Sequence, residues 1–279
     1  MEGKDVIRDL QDLRHLTWTK GRASSGTAGT LLKSVSEDAN HVRHYYKLSD
    51  YTPGKGIVGH ECVNELIADR LLYILGVPHV HYRLIHARIS HNGKVYETWL
   101  TESEDFRKKG ESKLALDDYY ELEHQPKETP LSFCFRLGWE KEICQMLVVD
   151  YLICNRDRHG ANIEVLRARD GKCRLTPLYD HGLSFLFDCH SEKAAAGFDV
   201  LDDWPVQCFV GTSSAERNLQ LIPTKALPRL RAPEKRDRVL LFDDLDGILS
   251  EVYYDKIWEM IEKRWKHYEK LCQDLRHFK

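Results

Sequence analysis

The chain has 279 residues, 42% of them hydrophobic, and its 41 basic and 44 acidic side chains leave a net charge of −3. That length suffices for one sizeable core or two smaller ones. The near balance of charge gives no global basic field, so direct nucleic-acid binding is not expected. The opening Met1-Glu2-Gly3-Lys4-Asp5 carries charges where a secretory leader needs an apolar stretch, and no later run reaches membrane-spanning length. A cytoplasmic protein without membrane insertion is the expectation.

In chain order, Leu16 to Thr19, Leu31 to Val35 and His41 to Leu48 have the composition of β-strands. Between the first two lies a loop of small residues, Gly21 to Gly29. A helix is predicted from the spacing of Val63, Ile67, Leu71 and Ile74, with Gly76 and Pro78 as its stop. Two more strands, Tyr82 to Ser90 and Lys94 to Leu100, meet at Asn92-Gly93, a dipeptide suited to a tight hairpin. These elements predict an antiparallel sheet with one helix as an N-terminal lobe over residues 1–103.

From Thr101 to Pro130 the chain is polar, with a helix predicted around Leu114 to Leu122, and the boundary between lobes is placed here. Residues 104–279 are expected to form a mostly helical lobe. It includes a buried helix from Glu140 to Leu152 and an amphipathic one from Tyr254 to Leu275. Ser191 to Arg238 shows little periodicity and reads as irregular rather than packed.

Eight cysteines include no Cys-x-x-Cys pair, so they read as buried thiols rather than a zinc set. His79, His81, His86 and His91 lie in extended, apolar-interleaved sequence and read as strand-face residues rather than ligands.

The stretch from Asp150 to Asn162 places seven charged or hydrogen-bonding side chains directly after an apolar helix, unlike a core segment. Asp157 and Asn162 are separated by four residues, the interval of a kinase catalytic loop. There the aspartate takes the substrate hydroxyl proton and the asparagine holds magnesium. Ile163 to Leu166 and Cys173 to Thr176 are β-prone around Asp170-Gly171. A hairpin centred on that dipeptide puts Asn162 opposite Tyr179 and beside Asp180, where a carboxylate and an amide oxygen converge as hard ligands suited to magnesium. Lys47, with Lys33 as its competitor, stands in the order expected of a phosphate-pairing lysine; Glu65, with Glu61 as the alternative, lies on the next helix.

These motifs resemble those of the HipA-like serine/threonine kinases of bacteria. The family's Asn-x-Asp-x-His-x-x-Asn pattern matches Asn155, Asp157, His159 and Asn162, and its Pro-x-Tyr-Asp pattern matches Pro177, Tyr179 and Asp180. Asn64 to Leu71 resembles the family's helix, and Leu75-Gly76-Val77-Pro78 its exit. Asp157-Arg158-His159 with Asp180-His181-Gly182 is also similar to the phosphoinositide 3- and 4-kinases.

The resemblance implies an α+β, two-lobed protein-kinase-like fold and an ATP- and magnesium-dependent kinase acting on a protein hydroxyl. It implies Asp157 as catalytic base, His159 as support for the loop, and Asn162 and Asp180 as metal ligands. It further implies that Lys47, paired with Glu65, and the loop of Ser25, Gly26, Thr27, Ala28, Gly29 and Thr30 hold ATP phosphates, with Ser24 or Ser25 open to autophosphorylation. The toxin type's N-terminal subdomain has no counterpart before the nucleotide loop, so an antitoxin partner is not expected. A lipid or small-molecule phosphotransferase of the same fold and an inert ATP-binding module are the alternatives.

Overall fold

The structure is a computed structural model that describes residues 4–22 and 28–277. Ser24, Ser25, Gly26 and Thr27 of the expected nucleotide loop lie outside the described residues. Strands β1 (Val6–Asp12), β2 (Thr19–Arg22), β3 (Ala28–Glu37), β4 (Arg43–Leu48), β7 (Arg83–His91) and β8 (Lys94–Glu104) form a six-stranded sheet in the order β1-β7-β8-β4-β3-β2. A small hairpin, β5 (Tyr51–Thr52) with β6 (Gly56–Ile57), lies between β4 and the first helix. Ala28, Gly29 and Thr30 open β3.

Two sequence expectations are corrected here. The sheet is mixed rather than antiparallel, because β1, which the sequence reading left out, pairs parallel to β7. The strand expected over Leu16 to Thr19 begins only at Thr19, since the Leu16 and Trp18 side chains serve as buried packing rather than ladder residues. They join Leu32, Leu48, Ile85, Ile89 and Leu100 in a small core on the sheet.

Helix α1 (Glu61–Leu75) ends on Gly76 in a left-handed C-cap whose N–H reaches Leu72 O and Tyr73 O. Of its fifteen residues all but Tyr73 are buried, including Glu61, Asn64, Glu65, Asp69 and Arg70. Glu61, Glu65 and Asp69 recur at four-residue intervals and therefore share one face. A carboxylate stripe inside a buried helix demands partners, because unpaired buried charge is strongly destabilising.

The remaining chain is built from α2 (Leu116–Glu123), α3 (Pro130–Arg136), α4 (Glu140–Leu152), α5 (Glu192–Ala196), α6 (Ala215–Gln220), α7 (Asp237–Phe242) and α8 (Glu251–His277). Its short strands are β9 (Ser112–Ala115), β10 (Asp157–Arg158), β11 (Glu164–Arg167), β12 (Cys173–Leu175) and β13 (Gln207–Cys208). One large core joins α1, α4 and α8 through Leu66, Ile67, Leu147, Val148, Ile257 and Ile261.

The segment from Ser191 to Arg238 is packed, not irregular: Val200, Val206, Val210, Ala215 and Leu219 are all buried in that core. Its helices span a turn or two, too short to show a period, and are started by Ser191 and Ser214, whose side chains accept from Ala194 N and Arg217 N. No helix among the described residues is long and apolar enough to cross a membrane.

Candidate active site

The hairpin that carries the metal-ligand expectation forms, with a shifted register. Val165 faces Leu175 and Arg167 faces Cys173, so the turn pivots on Asp170 rather than between Asp170 and Gly171. Ala168 N donates to Lys172 O, Lys172 N donates to Asp170 Oδ1, and Gly171 takes a φ of +83°, closing a three-residue loop. Continuing that register puts Asn162 level with Leu178, one residue before the expected Tyr179. Strand β9 pairs on the other side of β11 and makes a three-stranded sheet.

The loop and the hairpin are joined by Arg158, a motif residue to which the sequence alone assigns no role. Arg158 is 1% exposed and holds Asp150 through two bonds, both 2.9 Å. Its Nη1 donates to Asn162 O at 3.0 Å and to Tyr179 O at 2.8 Å. One buried guanidinium therefore fixes both Asn162 and the residue before Asp180. Tyr179 adds a bond from its hydroxyl to Ala161 O at 3.0 Å. Asn155 completes the frame, donating to Asp150 and accepting from Asp157 N. An arginine eight residues past an aspartate in the last turn of an apolar helix was the available signal, since such a charge needs a buried partner.

Asn162 donates its amide nitrogen to Asp157 O at 2.8 Å, which commits the nitrogen and orients the side chain. His159 accepts from Ala161 N at Nδ1, capping the turn from Gly160 to Asn162, and its Nε2 stands 3.7 Å from Asp157 Oδ2. Gly160 is required here, because a Cβ at that position would stand 2.4 Å from the Asp117 Cβ at the start of α2.

On the opposite wall Lys33 and Lys47 face each other across β3 and β4. Lys47 Nζ donates to Glu65 Oε1 at 2.6 Å and to Asp180 Oδ1. Lys33 Nζ lies 3.5 Å from Asp180 Oδ2. Glu65 also accepts from His181 N at 2.7 Å through its second oxygen. Glu61 instead accepts from Asp50 N, so Glu65 is the partner of Lys47.

Asp180 has a φ of +59°, in the left-handed region that aspartate tolerates better than most side chains, and its N–H donates to the Tyr82 hydroxyl at 3.2 Å. Asn64 holds the next turn by donating to Gly182 O and Ser184 O. A Cβ on Gly182 would stand 3.2 Å from the Glu61 Cβ and 3.4 Å from Lys47 Nζ and Glu65 Oε1, which places this glycine directly against the ion pair.

The electrostatics follow from this packing. Burial opposes ionisation of Asp180, but the Lys47 and Lys33 charges outweigh it and hold the carboxyl well below its ordinary range. Burial likewise opposes the charge on Lys47, and Asp180 and Glu65 outweigh it and raise the ammonium above its usual value. Asp157 behaves in the opposite way: burial raises its carboxyl, partly countered by His159 and reinforced by the Asp180 charge. Two carboxyl groups near one another are thus set to different proton affinities, the pattern of a site that moves protons beside a fixed charge.

No family model and no curated protein sequence matches the chain. Among solved structures, it is similar to the proinflammatory kinase CtkA of Helicobacter pylori at 14% identity and a TM-score of 0.61, covering 95% of this chain and 99% of that one. The HipA chain of a Shewanella oneidensis MR-1 complex with HipB and operator DNA aligns at 16% identity and a TM-score of 0.48, covering 93% of this chain and 68% of that one. A golgi casein kinase aligns at 15% identity and the same TM-score, over 95% and 74% of the two chains. The match to the H. pylori structure, over nearly the whole of both chains, establishes that this chain has the two-lobed kinase-like fold.

Proposed function

We propose that the chain is an ATP-dependent protein serine/threonine kinase, with Asp157, Asn162 and Asp180 at its centre. The observation that carries this reading is the linkage of Lys47 to Glu65 and Asp180, facing a loop in which Asn162 is oriented by Asp157. A carboxylate and an amide oxygen fit magnesium, which accepts a few hard oxygens and completes its shell with water and phosphate. Asp180 and the Asn162 amide oxygen would hold the ion, and Lys47 would hold phosphate oxygens in the position Glu65 fixes. Bound magnesium-ATP supplies the γ-phosphoryl group with its charge partly neutralised.

The protein then positions the reactants. Asp157 accepts the proton of the acceptor hydroxyl as that oxygen bonds to the γ-phosphorus and the bond to ADP breaks. His159 keeps the loop in its turn, and Arg158 keeps the base and the metal ligands in register. The raised carboxyl of Asp157 makes it a stronger base than an ordinary aspartate, provided that it is ionised. The backbone of Ala28 to Thr30 at the start of β3, with Ser25, Gly26 and Thr27 before it, forms the proposed phosphate loop. Ser24 and Ser25 are the proposed sites of self-modification.

Incubation with radiolabelled ATP, magnesium and a cell lysate tests the acceptor class. Phosphoserine or phosphothreonine in the protein fraction is the expected product. Label confined to the lipid or small-molecule extract would instead identify a different phosphotransferase on the same fold.

A further inference from the structure

One helical turn beyond Glu65, the same face of α1 meets two histidines. Asp69 Oδ1 lies 2.7 Å from His79 Nε2 and 3.1 Å from His81 Nδ1. Its other oxygen accepts from Tyr82 N at 2.8 Å. The three potential ligand atoms all stand within 4.8 Å of one another. The Asp69 and His79 side chains are 7% and 5% exposed, whereas that of His81 is 70% exposed.

The hydrogen bonding of His79 is informative. Its Nδ1 lies 2.6 Å from Val77 O, and a carbonyl can only accept, so Nδ1 carries a proton. Nε2 then faces an acceptor-only carboxylate across 2.7 Å. A ring with its proton on Nδ1 presents a lone pair at Nε2, so two electron-pair donors meet at one point, as two ligands of one cation do. A backbone carbonyl that fixes one ring nitrogen while the other points at a carboxylate is the arrangement that supports a metal-ligating histidine. His81 brings a second imidazole to the same oxygen.

We propose that Asp69, His79 and His81 form a binding site for a divalent transition ion of the zinc type. Two imidazoles and a carboxylate are the ligand set for such an ion and leave a position for water on the exposed side of His81. With ligand bonds of about 2.0–2.1 Å, a tetrahedral site separates its ligand atoms by about 3.3 Å. The separations from Asp69 Oδ1, 2.7 and 3.1 Å, are shorter than that value, so the side chains part by a few tenths of an ångström to admit the ion, His81 by rotation at its exposed position.

Its place in the fold gives the ion a structural consequence. Asp69 belongs to α1, and His79 and His81 to the segment leading into β7. Val80 N donates to Leu178 O, and Tyr82, bound to Asp69 through its backbone, accepts from Asp180 N through its hydroxyl. An ion here ties α1 to the segment before β7 whose Tyr82 supports Asp180. This site is separate from the magnesium site and does not rest on the proposed activity.

The test uses the full chain, stripped with a chelator and titrated with Zn²⁺ alone, without nucleotide or magnesium. One Zn²⁺ per chain is expected for the wild type and for Asp180→Ala, with a rise in melting temperature. His81→Ala, a substitution at an exposed side chain, and Asp69→Asn are expected to weaken uptake at least about tenfold, a loss of the size caused by disturbing a metal's ligand shell. Circular dichroism of the His81→Ala variant separates lost binding from lost folding. The proposal is overturned if the wild type takes up Zn²⁺ no more tightly than folded His81→Ala, or if uptake survives His81→Ala and disappears in Asp180→Ala.

Discussion

Two neighbouring turns of α1 use the same chemistry for different ends. Glu65 receives Lys47 and His181 N beneath the candidate active site, whereas Asp69 receives two imidazoles and Tyr82 N beside the exit of the helix. The first carboxylate is held by groups from two distant stretches of chain, and both lead to Asp180. The second is surrounded by residues within thirteen positions of itself, and Tyr82 links it to Asp180. Position along one helix face thus separates a carboxylate that fixes Lys47 beside Asp180 from one that holds the segment behind them.

The sharpest way to break this contrast is to alter the proton acceptor. Asp157→Asn is expected to lower the turnover number by about 10²–10⁴-fold, the usual contribution of a positioned base, with ATP binding retained. Because Asp157 is raised by burial, wild-type turnover should also fall on acidification at a higher pH than an ordinary aspartate would give, and steady-state profiles in buffered series measure both.

Next in size is Arg158→Met. It leaves Asp150 buried without its charged partner, with only the Asn155 amide still donating to it, and should cost about 3–5 kcal/mol in a urea unfolding series. The same change at a surface arginine such as Arg14 should cost far less.

A third effect comes from buried imidazoles. Burial pushes His60 down to about 4, and His181 well below its ordinary value. Between the unfolded value of about 6.5 and those lower values, the unfolded chain takes up protons that the native chain refuses. Stability should therefore fall as pH drops from about 6.5 toward 4, by up to about 1.4 kcal/mol per pH unit for each group. His60→Gln should flatten part of that slope in thermal melts across the range.

The smallest effect is expected at Lys33, whose side chain is 43% exposed and stands 3.5 Å from Asp180. Lys33→Met should raise the KM for ATP about two- to fivefold, as for removal of a partly solvated charge, and leave the turnover number nearly unchanged. A loss matching that of Lys47→Met would show that the two lysines share one role.

The same contrast explains what the sequence made legible. Asp157, Asn162 and Asp180 stand out because they lie in short polar motifs next to an apolar helix and a hairpin turn, and the helix from Glu61 to Leu75 because its apolar period and Gly76 stop are local. Lys47 and Glu65 were preferred over Lys33 and Glu61 on element order and helix position, and their two side chains form an ion pair. Strand β1 was missed because a parallel pairing with β7 has no turn to announce it. The role of Arg158 was missed because its partners, Asp150 and the Asn162 and Tyr179 carbonyls, meet only after the chain folds back. His79 and His81 were read as strand-face residues for a similar reason: their common partner, Asp69, lies across the helix exit.

The most direct test of the central claim is transfer of radiolabelled γ-phosphate at saturating magnesium and ATP, comparing the wild type with Asp180→Ala at equal folded concentration. Incorporation by the wild type and its loss in the variant is the predicted result. Equal incorporation by both proteins would contradict the assignment of Asp180, and with it the reading of Asp157, Asn162 and Asp180 as one site.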